Sequence, residues 1–475
     1  MHRALRRRLF PVLATICATA FAVAIAAPTA SAWQVVSEHG GINFDEASTV
    51  RGADGALHIV YKDLGDGSVG GVRYRTLSTA GVLGAPETAV GGWQGVNNPD
   101  IELIAGAPHV FFSGLQSSDS SNPFNGGQAW TSNRASGAWA LSPTPMSQAN
   151  TVYPSTQVSS ALDGSNQPWI TSTSTFNVLV HTGFATAGAE ANYQPTNGCC
   201  GYGSNLGVGA DGSVFLAYYS NATDQGGYWM QQLAPTVGAP TLLPRIGTSG
   251  LSRGSRIPLV SRVGGGVYAA YCDVYPTCSG IRLAAQGRPS LRLALTNAQV
   301  PTVADSVWAA AGPSGRIWLT WTNRDGLYLT RTNKAVTKWE PVQKLALPRV
   351  IDTPWSTTAE GSRGWLDIVA TLGVTNAAGA TEIRAWHQRA KPKLSLVAPL
   401  AVQHSNRART VLLRLTDAGD PVVGKVRFRG VTRTTNVRGY ASFTIPRGTR
   451  TGSYVASATA TGYVAGLAKV RVHFM

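Results

Sequence analysis

Short apolar runs rich in valine, isoleucine, tyrosine, phenylalanine and tryptophan recur along this chain. Glycine, proline, asparagine or aspartate bounds each of them, a pattern that predicts strands and not helices. One run aligns in seven places: His58–Asp63, His109–Gly114, Pro168–Thr173, Val214–Tyr219, Val267–Cys272, Ile317–Thr322 and Trp365–Ala370. The offsets between their starts are 51, 59, 46, 53, 50 and 48 residues. A sheet-forming unit that returns about every 50 residues predicts the blades of a β-propeller.

The flanks of each run complete the unit. Asp54-Gly55, Asp211-Gly212 and Ser314-Gly315 precede it and predict two-residue hairpin loops with positive φ. Gly71–Thr76, Asn177–Thr182, Gly326–Arg331 and Glu382–His387 follow it and alternate, predicting a third strand with one buried and one wetter face. The seventh unit runs from His387–Ala390 into Lys391–Lys393 with no fourth strand. Trp33–Val36 resembles the fourth strand of the sixth unit, Trp339–Val342, so the N-terminal segment is expected to complete the last blade. Such closure hides a sheet edge; a free N-terminal tail is the alternative. The expected fold class is therefore all-β: a seven-bladed β-propeller over residues 33–390, a linker at 391–393 and a second domain at 394–475.

The second domain differs in kind. Asn436–Phe443 stands before Gly452–Thr459, a turn ending in glycine ahead of an alternating strand. This resembles bacterial immunoglobulin-like domains over about 80 residues, and the resemblance implies a β-sandwich.

The first 32 residues read as a secretion signal. Arg3, Arg6, Arg7 and Arg8 precede an apolar core from Leu9 to Ala27, and Ala30-Ser31-Ala32 is a small-x-small cleavage site. The mature chain is expected to begin at Trp33 and to be secreted, with no transmembrane segment after cleavage. Arg6–Phe10 also matches a twin-arginine signal loosely, so the export route stays open. Ile16 before Cys17 departs from a lipidation motif.

Charge separates the two domains. Residues 391–475 hold 14 Lys and Arg against Asp417 and Asp420, a net of +12, whereas residues 33–390 balance at 22 against 22. A basic domain of this size favours anionic cell-wall polymer, acidic polysaccharide or nucleic acid through salt-sensitive attraction; a merely solubilising surface is the plainer reading.

In a propeller the first strand of each blade runs along the channel, and its start shares a face with the loop after the second strand. Ten to fourteen residues upstream of the aligned runs lie Asp45 and Glu46, Asn97 and Asn98, Cys200 and Tyr202, Arg253 and Arg256, Asp305, and Asp352 with Trp355. The third unit adds Tyr153 and Ser155 near the same offset. Aromatic and polar side chains on one concave rim suit a carbohydrate-like ligand, because rings stack on C–H faces while amides, carboxylates and guanidinium groups bond hydroxyls. A water-filled rim with no ligand is the bland counterpart.

Four cysteines remain after cleavage, in a compartment that permits disulfides. Cys272 and Cys278 bracket a five-residue loop, and Cys199 and Cys200 are adjacent between glycines. Pairing 199 with 200 and 272 with 278 is the expected arrangement, with cross-blade pairing also within reach. A bond between adjacent cysteines would place a stiff apolar platform at the channel mouth, which puts Cys199 and Cys200 among the ligand candidates.

The segment Ser255–Tyr271 resembles the R-I-P segment of sialidase-like propellers, which carries an arginine that grips the substrate carboxylate. The resemblance implies that Arg256 holds an acidic sugar, with Arg51 and Arg253 as the nearby partners for an arginine triad. The segment falls in the fifth unit here, no S-x-D-x-G-x-T-W box occurs, and seven units exceed that family's six. No nucleophile, P-loop, zinc or calcium motif is present, so no metal and no cofactor is expected. His58 and His109 share one strand position and read as structural. These observations favour a secreted binding protein for a glycan or other polar ligand. A sialidase-like glycoside hydrolase is the second hypothesis, and an adhesive or structural protein without a small ligand is the third.

Overall fold

The computed structural model describes residues 33–40, 46–63, 70–93, 95–115, 127–147, 156–173, 177–184, 191–192, 201–220, 226–244, 256–273, 278–295, 306–323, 326–348, 356–375, 379, 381–404 and 407–474. Seven four-stranded antiparallel sheets follow one another in chain order. Their first and second strands are Ala47–Arg51 and Leu57–Asp63, Gly95–Ile104 and Ala107–Leu115, Thr156–Leu162 and Pro168–Thr173, and Gly201–Val208 and Val214–Ser220. Sheets 5 to 7 begin with Leu259–Ser261 and Val267–Cys272, Val307–Ala311 and Ile317–Asn323, and Ser356–Glu360 and Leu366–Thr375. Each first strand neighbours the first strand of the next sheet, and that of sheet 7 returns to that of sheet 1. This radial arrangement is a β-propeller.

Apolar packing between sheets holds the ring together. Each adjacent pair shares one buried cluster: Val60, Trp93 and Phe112 join sheets 1 and 2, and Phe111, Met146 and Ile170 join sheets 2 and 3. Leu216 with Val180 and Tyr271 with Tyr228 serve the next two junctions. Trp321 with Ile281 and Trp318 with Ile368 serve the two after those. Tyr61 and Val369 then close sheet 7 onto sheet 1. Packing on both faces explains why the middle strands bury almost every residue, as in Val214–Ser220. The expected two-faced third strand holds in part: residues 72–75 alternate buried and half-buried positions, whereas Gly326–Arg331 is buried throughout because neighbouring sheets cover both of its faces.

Sheet 7 takes its fourth strand from the other end of the chain. Gln34–Val35 pairs antiparallel with Thr381–Ala390, Gln34 opposite His387 and Val35 opposite Trp386. The junction is stitched ionically as well: Arg51 of sheet 1 meets Glu360 and Asp367 of sheet 7, the latter at 2.5 Å.

The turns between first and second strands differ from expectation. Gly52 N–H bonds Ala56 carbonyl and Gly209 N–H bonds Ser213 carbonyl, enclosing three residues instead of two. Only the last of the three, Gly55 (φ 88°) or Gly212 (φ 77°), is left-handed. The aspartates before them accept backbone N–H bonds from Ala56 and Ser213, which favours the tighter turn followed by a glycine bulge.

Residues beyond 393 form two further sheets around a single apolar cluster. Arg409–Asp417 and Tyr440–Ile445 pair in one; Lys425–Phe428, Gly452–Thr459 and Gly466–Phe474 pair in the other. Leu413, Phe443, Phe428 and Val470 are among the side chains buried between them.

This tail docks on sheet 6 through its only two acids. Asp417, fully buried, accepts from Arg331 at 2.6 Å and from the Tyr463 hydroxyl at 2.9 Å, with Arg316 at 3.4 Å. Asp420 accepts from Arg316 at 2.6 Å and from the Lys334 backbone N–H at 3.0 Å. These arginines lie at the turn end of sheet 6, so the tail sits at the end of the ring opposite the starts of the first strands. No helix among the described residues is long and apolar enough to cross a membrane.

Candidate functional site

Seven first strands converging on one axis leave a channel. A cavity of about 280 Å³ lies along it, with lining residues from every sheet, among them Ser48, Asp100, Glu102, Ser160, Asn205, Arg256, Trp308 and Glu360.

Local backbone irregularity builds the polar end of this cavity. Regular pairing of Gly95–Ile104 breaks between Asn97 and Asp100, where Asn98 adopts φ 47° and Pro99 follows. Asparagine tolerates that left-handed geometry better than most residues, and proline removes a ladder donor where the bulge needs none. Sheets 3 and 4 break register at the same level, between Thr156 and Ser159 and between Tyr202 and Asn205.

The bulge in sheet 2 turns the carbonyls of Asn98 and Pro99 toward Arg256 of sheet 5. Its Nη2 donates to them at 3.1 and 3.3 Å, and Nη1 lies 3.3 Å from Asp100. Asp100 also accepts from the Ser48 hydroxyl and, at 2.7 Å, from the Ser160 backbone N–H. One carboxylate and one guanidinium thus tie sheets 1, 2, 3 and 5 across the axis. Asn205 of sheet 4 continues the layer, accepting from the Ser159 hydroxyl and donating to the Ile257 carbonyl at 3.0 Å. Charge-assisted bonds in a place poor in water are strong and hold their geometry.

Glu102 lies two residues beyond Asp100 on the channel-facing side of the same strand. Enclosure by the channel walls, with Asp100 adding to it, pushes its carboxyl well above the ordinary carboxylate range.

Of the residues expected at the rim, Glu46, Asn97, Asn98, Tyr202 and Arg256 are described, and the fold brings them to the same end of the ring, where the Lys62 ammonium donates to Glu46 at 2.8 Å and to Asn97 at 3.1 Å. Asn98 and Arg256 touch directly. Tyr202 packs partly buried against the cluster between sheets 4 and 5. Tyr153, Cys199, Cys200, Asp305, Asp352 and Trp355 lie outside the described residues, as do Asp45, Ser155, Arg253 and the signal segment 1–32. Cys272 and Cys278 are bonded, with Cα atoms 5.2 Å apart, so that pairing stands as expected. Arg51 is engaged by Glu360 and Asp367 at the other end of its strand, which removes it from an arginine triad with Arg256. His58 bonds the Tyr74 hydroxyl at 2.6 Å.

Sequence reading missed Asp100, Glu102, Ser48, Ser160 and Asn205. Their signal was period-two spacing inward from the rim, obscured by the bulges, each of which shifts the channel-facing register.

No protein-family model matches this chain, and no curated protein matches it in sequence. Solved structures with a similar course of the chain include a protein of unknown function from Dyadobacter fermentans (9% identity, 76% of this chain, 98% of that chain, TM-score 0.44). Others are an α-L-arabinofuranosidase from Fusarium graminearum (11%, 76% and 97%, TM-score 0.42) and a Trypanosoma rangeli sialidase (11%, 76% and 60%, TM-score 0.44).

Proposed function

We propose that this protein is an exported, seven-bladed propeller that binds a carbohydrate at the mouth of its channel and carries an immunoglobulin-like domain that adheres to anionic polymer. One observation carries the reading: the Arg256–Asp100 layer forms a fixed polar floor where the first strands of all seven sheets converge. The ligand contacts in this reading are Asn98 and Tyr202, with Tyr153, Cys199, Cys200, Asp305, Asp352 and Trp355 from outside the described residues, a set of amides, carboxylates and rings suited to one sugar. Arg256 serves by holding the floor, since two backbone carbonyls and Asp100 already occupy its guanidinium. The disulfide Cys272–Cys278 accords with an oxidising compartment.

Binding to a polysaccharide array tests the reading, with Trp355→Ala and Tyr202→Ala expected to weaken binding at least tenfold. An array with no ligand above background would contradict it. A hydrolase is the second reading, favoured by two carboxyls, Asp100 and Glu102, lining one channel cavity, with enclosure and the Asp100 charge pushing Glu102 upward. Its test is turnover of aryl glycosides that disappears in Glu102→Gln.

A further inference from the structure

The two acids of the tail are engaged by Arg316 and Arg331 of the ring, Asp417 fully buried and the Asp420 side chain 26% exposed, which leaves the fourteen Lys and Arg of residues 391–475 with no other acid of their own domain. The distribution of those cations over the tail is uneven. The five-stranded sheet contains no acidic residue, and the register places its outward side chains in one array. Lys425 and Arg427 project from one edge of the middle strand Gly452–Thr459, and Lys469 and Arg471 from the other; all four are exposed. Between the two pairs the middle strand offers Ser453, Val455, Ser457 and Thr459, and Leu467 stands beside Ser457. Val455 is 60% exposed and Leu467 68%.

We infer that this outer sheet face is the track on which an acidic polysaccharide lies, a deepening that rests on the proposed role of the tail in adhesion. Charges two residues apart on a strand are separated by roughly 7 Å, and the two flanking strands by roughly 10 Å. An extended chain of uronate-like sugars running along the middle strand meets Lys425 and Arg427 on one side beside Thr459 and Ser457, then Lys469 and Arg471 on the other side beside Val455 and Ser453. Its ring C–H faces rest on Val455 and Leu467, and its hydroxyls reach the serines and Thr459. Among the described residues no Phe, Tyr or Trp joins His473 on the outward face to stack successive bases, which separates it from a single-stranded nucleic-acid platform.

The test uses the full-length mature chain and immobilised polygalacturonate at about 50 mM salt. Replacing Lys425, Arg427, Lys469 and Arg471 with Gln is expected to weaken retention at least tenfold. Replacing Arg407, Arg438, Arg447 and Arg450 with Gln removes the same charge elsewhere on the tail and is expected to change it less than threefold. Equal losses in the two variants would overturn the track in favour of diffuse attraction, and no loss in the first would overturn it outright. Tighter binding of duplex DNA at the same salt, lost with the same four substitutions, would assign the face to another partner. If the wild-type chain is not retained at all, the adhesive reading itself fails, an outcome distinct from failure of the track. The single changes Arg427→Gln and Lys469→Gln, expected to weaken retention about twofold to threefold each, decide the matter should the quadruple variant not fold.

Discussion

The ring and the tail use arginine in opposite ways. Over residues 33–390 the charges balance, and arginines are drawn into contacts with carboxylates between and within sheets. Arg51 joins sheets 1 and 7, Arg256 spans the channel, and Arg292 holds buried Asp273 beside the disulfide. In the tail the outer-sheet cations stay exposed, and its two carboxylates turn back to the ring. The same side chain serves as an internal tie where a carboxylate meets it away from water, and as a surface field where none does. Net charge alone describes the second case and hides the first.

This contrast can be broken at several points. The largest effect is expected from Asp417→Asn, which leaves Arg331 and Arg316 facing a neutral amide in a buried site. A loss of about 3–5 kcal/mol is expected in urea unfolding, with the junction between ring and tail becoming a site of limited proteolysis. Next comes Asp367→Asn, which removes the common partner of Arg51, His387 and Arg389. Burial alone would raise this carboxyl, yet hydrogen bonds from His387 and Arg389, and their charges, hold it well below its ordinary range. Its contribution is thus complete above the ordinary carboxylate range and is lost as pH falls through the depressed native value. Wild type should lose more stability than the variant in acid, and parallel acid curves would contradict the role. Reduction of Cys272–Cys278, or its replacement by serines, is expected to cost about 2–3 kcal/mol for so short a loop.

The last effect, small at each pH step, sharpens the junction. Burial, outweighing the nearby Arg331, raises the Glu340 carboxyl to about 8, with Asp417 adding to the rise; its Oε1 accepts the Lys393 backbone N–H at 2.5 Å. The native state therefore holds a proton that the unfolded chain has released. Stability should fall by about 1 kcal/mol per pH unit as pH rises from the ordinary carboxylate range toward 8, then level off. Glu340→Gln should flatten that slope, as read from urea unfolding at a series of pH values.

Much of the fold is legible in the chain because each unit repeats its burial pattern. The second strands stand where their β-branched and aromatic runs predict, Leu57–Asp63 and Ile317–Asn323 among them. Strand alternation was legible in part: it survives in residues 72–75, and packing on both faces erases it in Gly326–Arg331. The channel layer was least so: Asp100 faces Arg256 only because a bulge at Asn98 and Pro99 shifts the register, and no local spacing announces a partner 156 residues away. The docking of Asp417 and Asp420 onto Arg316 and Arg331 was equally hidden, being a contact between domains.

The central claim is that widely spaced segments meet at one mouth and share one ligand. Hydrogen–deuterium exchange, with and without the tightest-binding polysaccharide from the array, tests it most directly. Ligand should protect the segments around residues 94–98, 151–155, 199–203, 301–305 and 351–355 together. Protection of the opposite turns around 53–55, 164–166, 210–212 and 313–315, or of one blade alone, would contradict it.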